Sequence, residues 1–237
     1  MRLIPYSEYP APMNMGIDEM LFCRRQDGGE DTLRFYGWRP AAVSIGYFQS
    51  YDQEIGADDV DVVRRSTGGG AVFHDHEITY SVVMAAGADI QESYRRICGG
   101  IIEALNLLGI IATFRPLNDI VVGQRKISGN AQTRRDGVLL QHGTLLLSVD
   151  PDRMFSVLRV PDEKLKGKFV RSVRSAVTSV EQELGCQVEI DAVTDALEQG
   201  FASVFGPLTM TPISDEEIEE ARGYATKYRD EQWTRMR

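Results

Sequence analysis

The sequence predicts an α/β (α+β) fold, with one mixed β-sheet flanked by helices. Three observations predict it. Short apolar runs broken by Gly, Pro and Asp dominate the chain up to Val149. A single long 3.6-residue period interrupts them between Ile90 and Leu108. Beyond Val149 the pattern turns helical and carries two capping boxes.

Taken in order, Ile17, Met20, Leu21 and Arg24 follow Pro12-Met13-Asn14 at helical spacing, which predicts a helix from about Asn14 to Arg25. Gln26-Asp27-Gly28-Gly29 stops it. Strands are predicted at Thr32–Tyr36 and Ala42–Tyr47, on either side of the Gly37-Trp38-Arg39-Pro40 turn. Val62-Val63 is an apolar strand that ends on Arg64-Arg65. Gly68-Gly69-Gly70 then turns the chain into Ala71-Val72-Phe73, and the whole reads as a hairpin. A further strand spans Ile78–Met84. Ile90, Tyr94, Ile97, Ile101, Leu105 and Leu108 trace one face of a helix that ends at Gly109, with Cys98 beside the stripe as a buried, inert thiol. Gly123-Gln124 signals a hairpin between Ile120–Val122 and Arg125–Ser128. Regular alternation there puts Lys126 and Ser128 on one face and Ile127 on the other. Val138–Val149 is a long strand with His142 and Thr144 on one face. Asp152–Leu158 reads as a short helix. Thr178-Ser179-Val180-Glu181 caps another, which Gly185 closes. Val193, Leu197, Phe201 and Val204 mark a helix, and Ser214-Asp215-Glu216-Glu217 opens the last one, through about Lys227.

A chain of 237 residues buries one sizeable core, so residues 1–237 read as a single domain. The net charge of −9 argues against a nucleic-acid partner and against an anionic membrane surface. No apolar run reaches the length of a membrane span, and no signal pattern opens the chain. Cys23, Cys98 and Cys186 are an odd set without paired spacing, which suits free thiols in a reducing cytoplasm and shows no zinc site.

The chemistry concentrates at four places: Arg64 to His74, Asn118-Asp119, Lys126 to Gln132, and Gln141 to Thr144. Gly68, Gly69 and Gly70 leave backbone N–H groups unshielded by any Cβ, and Arg64 and Arg65 can supply positive charge to a phosphate or carboxylate. The spacing is neither that of a P-loop nor that of a dinucleotide fingerprint. The alternative is a tight turn with solvated arginines, and a bare glycine triplet does not choose between the two. Lys126 stands inside a predicted strand, where lysine is disfavoured unless it is solvated or kept for a task; periodicity alone favours the solvated state. His74 and His142 equally suit satisfied core histidines.

Four segments together resemble the lipoate–protein ligase family, within the biotin/lipoyl ligase and octanoyltransferase superfamily. They are Arg64-Arg65-Ser66-Thr67-Gly68-Gly69-Gly70-Ala71-Val72-Phe73-His74-Asp75, Asn118-Asp119-Ile120, Arg125-Lys126-Ile127-Ser128-Gly129-Asn130-Ala131-Gln132 and Leu140-Gln141-His142-Gly143-Thr144-Leu145. Weaker likenesses at Asn14-Met15, Asp18-Glu19, Trp38-Arg39-Pro40, Gln49, Lys227-Tyr228 and Trp233 extend the resemblance from about Pro12 to Trp233. It implies a mixed sheet backed by helices, as in biotin ligases and class II aminoacyl-tRNA synthetases. It implies activation of lipoate by ATP with Mg²⁺ to lipoyl-AMP, followed by transfer to a lysine of a lipoyl-carrier domain or of the glycine-cleavage H protein. Lys126 then matches the catalytic cation between acyl carbonyl and α-phosphate. Arg64, Arg65, Gly68, Gly69, Gly70, Ala71, Val72, Phe73, His74, Asn118, Asp119, Ser128, Gly129, Ala131, His142 and Thr144 match substrate- and ATP-binding positions, with Asp119 as the Mg²⁺ contact and Val72 in the slot for the aliphatic tail. His74 and His142 shape the pocket and act as general base in neither case. Adjacent strand residues point to opposite faces, so only one arginine faces the site; Arg65, nearer the turn, is favoured.

The wording at Asn118-Asp119-Ile120-Val121-Val122 and Leu140-Gln141-His142-Gly143 looks closer to archaeal-type ligases, whose catalytic chain is of about this length and works with a separate small subunit; the C-terminal accessory domain of larger relatives is not expected here. A partner subunit is therefore expected. The rival class is an ATP-independent octanoyltransferase or lipoyl amidotransferase. In those relatives a nucleophilic cysteine precedes the segment matching Asn118, whereas Thr113-Phe114-Arg115-Pro116-Leu117 has no thiol, which favours the ligase. A third alternative is a non-catalytic lipoyl- or acyl-binding protein. Lys164, Lys166, Lys168, Arg171 and Arg174 form a basic run that serves either as a carrier-docking patch or, more simply, as a solvated face.

Overall fold

The computed structural model describes residues 1–56, 59–159 and 166–237, with the side chains of 166–169 left undescribed. Lys164 therefore lies outside the described residues, as do the side chains of Lys166 and Lys168. The elements run β1 (Arg2–Tyr9), α1 (Ala11–Gln26), β2 (Thr32–Trp38), β3 (Ala42–Ile45), α2 (Tyr51–Glu54), β4 (Asp61–Arg64), β5 (Val72–His74), β6 (Glu77–Ala85), α3 (Ile90–Leu107), β7 (Thr113–Arg115), β8 (Asp119–Val122), β9 (Arg125–Arg135), β10 (Val138–Leu146), α4 (Pro151–Val157), α5 (Lys166–Ala176), α6 (Val180–Leu184), α7 (Ile190–Phe205), β11 (Thr209–Met210), α8 (Asp215–Arg229) and α9 (Glu231–Thr234).

There are two sheets among the described residues where the sequence predicted one. The larger follows the order β11-β1-β2-β6-β10-β9-β8-β7, and the smaller is β4-β3-β5. Both are mixed. β1 runs parallel to β2 and β11, while β6, β10, β9, β8 and β7 pair antiparallel. The glycine-rich segment is not a hairpin turn. β4 and β5 pair with opposite edges of β3, so Gly68-Gly69-Gly70 carries the chain across the end of that strand. The apolar centre of β3 explains the choice: Val43 is fully buried because Val62 covers one edge and Phe73 the other.

Strand parity divides the large sheet into two chemistries. Ile78, Tyr80 and Val82 of β6 point into a core built on α3 and α7, with Ile97, Ile101, Leu105, Leu197 and Phe201. The alternate residues Glu77, Thr79 and Ser81 are polar, although every one of them is buried. Farther along that second face, Val83 and Leu140 meet α1 and α8. α1 carries little amphipathic signal because it is covered on several sides. A Cβ at Gly16 would meet the backbone of Ala221 and Ala225 at 2.7 and 2.8 Å, so glycine lets α1 and α8 touch backbone to backbone.

Several boundaries differ from the pattern for identifiable reasons. β1 is invisible to alternation because its register shifts between Ile4 and Ser7, around Pro5. α1 begins three residues early, with Pro12 in its first turn. Ser179, not Thr178, caps α6 and accepts the N–H of Gln182, with Gly185 left-handed at φ +71°. The Ser214–Glu217 capping box forms in both directions.

Glu217 also grips Arg2 with two contacts of 2.6 and 2.7 Å, tying the first strand to α8. The hydrogen bonds from Arg2 hold its carboxyl down at about 2, against an ordinary 4.5. A depressed carboxyl stabilises the fold above its unfolded value, and that contribution fades as pH falls through the folded one. Glu217→Gln should therefore be less stable than the parent at neutral pH, with the gap closing between pH 4.5 and about 2 in acid-unfolding curves.

Candidate functional site

A cavity of about 320 Å³ lies between the two sheets. Its floor is the polar face of the large sheet. Tyr36, Thr79, Thr144, Gly129 and Asp119 are consecutive partners across β2, β6, β10, β9 and β8. A second row beside it holds Arg34, Ser81, His142 and Ala131. The roof is the small sheet with its crossover: Ser44, Arg65, Gly69, Gly70 and Ala71 to His74. Met154, Val173 and Val177 close one end, and Met15 and Trp38 lie among the apolar walls.

Lys126 reaches this cavity through a β-bulge. Ile120 pairs with Ser128 and Val121 with Lys126, so Ile127 is an extra residue on β9. The expected shared face for Lys126 and Ser128 is therefore wrong. Ser128 pairs with the core residues Ile120 and Leu145, is fully buried and does not line the cavity. Its hydroxyl has no partner among the described residues. The bulge releases Lys126 from that parity and turns it to the opposite face. There the side chain lies over Gly129, where a Cβ would stand 2.6 Å from both Cε and Nζ. Its ammonium is 2.7 Å from Asp119, whose other oxygen takes Arg115 at 2.8 Å. Burial raises the Asp119 carboxyl, but the bonds from Arg115 and Lys126 outweigh it and hold the group below the ordinary carboxylate range.

This arrangement does not suit Asp119 as a magnesium ligand. Both of its oxygens are engaged by cations, and the described residues contain no cluster of three His, Cys, Asp or Glu side chains able to hold a metal. Asn118 stands at the cavity edge and exchanges side-chain-to-backbone hydrogen bonds with Asn130 in both directions. Asn130 in turn accepts from the Tyr80 hydroxyl at 2.6 Å, so the buried layer beneath the sheet anchors the turn before β8.

The two arginines divide as strand alternation requires. Arg64 is fully buried and turned away from the cavity. It donates to the carbonyls of Gly46, Tyr47 and Gln49 after β3 and to those of Trp233 and Thr234 in α9. It is a clamp, which corrects its expected place in the ligand set. Arg65 lines the cavity yet spends its donors on protein: the carbonyl and hydroxyl of Ser44 at 3.0 Å, Gly68 O at 2.8 Å and Gly70 O at 2.7 Å. Burial without a carboxylate partner pushes its guanidinium down to about 10. Turning these carbonyls inward leaves the N–H groups of Gly68, Gly69 and Gly70 without an acceptor among the described residues. Gly69 adopts φ +98°, and its carbonyl packs where a Cβ on Gly46 would be 2.1 Å away. Gly68 itself does not line the cavity.

Both histidines are satisfied side chains of the site. His142 Nε2 meets Thr67 Oγ1 at 2.6 Å and Nδ1 faces Asp18 at 3.4 Å. Asp18 also binds Arg34, Tyr36 and Ser81. Burial drives the His142 imidazole below its ordinary value, against the pull of Asp18, so it is neutral near pH 7. His74 stacks on Trp38 at 3.9 Å and bridges Ser44 and Glu77. Glu77 was missed at the sequence level, and Asp18 entered only as part of a weak likeness, without a role. The signal for Asp18 was a carboxylate three to five residues before Leu21, Phe22 and Cys23 in a helical pattern; for Glu77 it was a carboxylate opening a strand of otherwise uncharged residues.

None of the three cysteines lines the cavity. Cys98 is buried under β10 beside Gln141, and burial pushes its thiol up to about 12. Cys23 is half-buried in α1, and Cys186 is exposed in the turn after α6. No helix among the described residues is long and apolar enough to cross a membrane.

Fold and site together define an enzyme of the lipoate ligase and octanoyltransferase class. Residues 10–202 match the family described as "Lipoyl protein ligase A/B catalytic domain", and the chain belongs to it. It is 33% identical to an octanoyltransferase LipM of Clostridioides difficile, over 100% of this chain and 98% of that one. Among solved structures, it is 34% identical to the bi-partite lipoate protein ligase of Thermoplasma acidophilum (TM-score 0.89), covering 99% of this chain and 95% of that one. A lipoate-protein ligase A bound with ATP is 31% identical (TM-score 0.84), with coverage of 99% and 98%.

Two substitutions test the geometry. Gly129→Ala should fold normally, since only the flexible end of Lys126 must yield, yet lose activity about as fully as removal of the ammonium, some 10²-fold. Arg64→Ala should instead lower stability by on the order of 3 kcal/mol in denaturant unfolding, because several buried carbonyls lose a charged donor.

Proposed function

We propose that this chain is the catalytic domain of an ATP-dependent lipoate–protein ligase, which forms lipoyl-AMP and passes the lipoyl group to a lysine of a lipoyl-carrier domain or H protein. The observation that carries this reading is the Lys126 ammonium, laid over Gly129 at a cavity that no thiol lines. Joining a carboxylate to a phosphate brings two anions together, so a fixed cation and unshared N–H donors stabilise the charge that develops. Lys126 and the amides of Gly69 and Gly70 supply those. The apolar walls at Val72, Phe73, Met154 and Val173 suit an aliphatic tail. ATP, when bound, would supply the adenylyl group that makes the acyl carbon reactive, with pyrophosphate lost on activation and AMP on transfer; the anion-receptive residues fit its phosphates. No residue of this chain is assigned to Mg²⁺.

Nucleotide-free octanoyl transfer is the second reading, and it rests on the LipM relatives. Such transfer needs a nucleophile at the acyl carbon. The alignment with the Clostridioides protein extends over 267 positions, against 237 residues here, so that relative carries residues with no counterpart in this chain. The absence of a cavity thiol supports the ligase over the transferase. The likeness to a bi-partite ligase supports a separate small subunit as partner and a lipoyl domain as acceptor.

Incubation with lipoate, ATP and a lipoyl domain, with and without a candidate small subunit, separates these readings. Lipoylation that requires ATP is the expected result, and Lys126→Ala should slow it about 10²–10³-fold. ATP-independent transfer from an octanoyl carrier, with an acyl adduct on a cysteine in intact-mass spectra, would replace the ligase reading. Lipoyl-AMP formation by the chain alone would remove the partner.

A further inference from the structure

From Thr79 in the floor of the cavity to Ser44, Arg65 and His74 in its roof runs a line of buried polar groups whose two end donors are fixed by chemistry. At one end, the Trp38 indole can only donate, and it donates to Thr79 Oγ1 at 2.8 Å. The Thr79 hydroxyl must then give its own proton to Glu77 Oε1, 2.8 Å away. Oε1 is thereby an acceptor, so the His74 nitrogen 2.5 Å from it, Nδ1, must carry the proton. At the other end, Arg65 Nη1 can only donate, and it donates to Ser44 Oγ at 3.0 Å. Ser44 Oγ stands 2.7 Å from His74 Nε2, which in the Nδ1–H tautomer is a bare acceptor for the serine proton. Every member is buried: Trp38, Ser44, Arg65, His74, Glu77 and Thr79 are each no more than 6% exposed. Glu77 Oε2 has no partner among the described residues, so this carboxylate acts on the network through Oε1 only.

We propose that Glu77, His74 and Ser44 are positioning residues that act through Arg65 to set the orientation of the glycine crossover. Arg65 holds the carbonyls of Gly68 and Gly70 at 2.8 and 2.7 Å, and the N–H groups of Gly69 and Gly70, which line the cavity and have no acceptor among the described residues, are left as donors for a ligand oxygen. The task of Arg65 is geometric. Its guanidinium works as a fork with fixed angles, bridging Ser44 and two carbonyls at once, which a single ammonium cannot do. The inference rests on an acyl or phosphoryl oxygen binding at the crossover, whichever acyl donor the chain uses.

The tautomer can be read without substrate. With three histidines in the chain, ¹⁵N shifts of His74 in the intact protein should show Nδ1 protonated and Nε2 bare. The opposite tautomer would overturn the proposal, whether or not the chain uses ATP. In activity assays, Arg65→Lys should lose at least tenfold in kcat despite keeping its charge, and Ser44→Ala about tenfold, each with the KM for lipoate changed less than threefold. Near-parental kcat in Arg65→Lys, or a loss confined to KM, would instead make Arg65 a plain charge facing substrate and sink the relay. Glu77→Gln keeps Oε1 as acceptor, so it should retain the His74 tautomer; loss of that tautomer in a folded Glu77→Gln protein would equally count against it.

Discussion

The site depends on one inserted residue. If β9 alternated without interruption, Lys126 would share the face of Ser128 and point toward α3 and α7, into a core of Ile, Leu and Phe side chains. An unpaired ammonium there would cost several kcal/mol. Ile127 fills the core position instead, and the bulge delivers Lys126 to the polar face with Asp119 as its counter-ion. Gly129 then matters for what it omits, because any side chain at that point would displace the ammonium. Sheet, bulge and glycine thus act as a unit, and the cation is the result.

Around that point the molecule separates structural from chemical duties by strand parity. On β6, Ile78, Tyr80 and Val82 build the helix-backed core, while Glu77, Thr79 and Ser81 furnish the polar floor. The same division separates Arg64 from Arg65. One arginine fastens the loop after β3 to α9, and its neighbour fastens the glycine crossover from beneath. Neither offers a free guanidinium to a ligand as placed. The accessible positive charge at the cavity comes from Lys126, and hydrogen-bond donors come from backbone amides.

Much of this was legible in the sequence because local rules sufficed. The α3 stripe, the Gly123-Gln124 hairpin with Gly123 at φ +60°, and the Ser214 capping box are set by neighbours within a few residues. The Lys126 and glycine-triplet motifs were visible as composition anomalies. What stayed hidden was long-range pairing. Whether Gly68–Gly70 closes a hairpin or crosses β3 depends on which strand takes the shared edge, and periodicity carries no such information. The bulge at Ile127 was hidden for the same reason, since a register shift is a property of two strands. Glu77 passed unnoticed and Asp18 was given no role, because a buried carboxylate resembles a solvated one until its partners are known.

The Arg64 clamp ties the small sheet to the last helix. Trp233 returns a hydrogen bond from its indole to the Arg64 carbonyl at 2.8 Å, so β4 and the final helical turn are stitched in both directions. Whatever pulls on the carboxyl-terminal tail therefore pulls on the ceiling above the ligand slot. A fusion, tag or docking protein attached there would be mechanically coupled to the reaction chamber without touching anything that reacts.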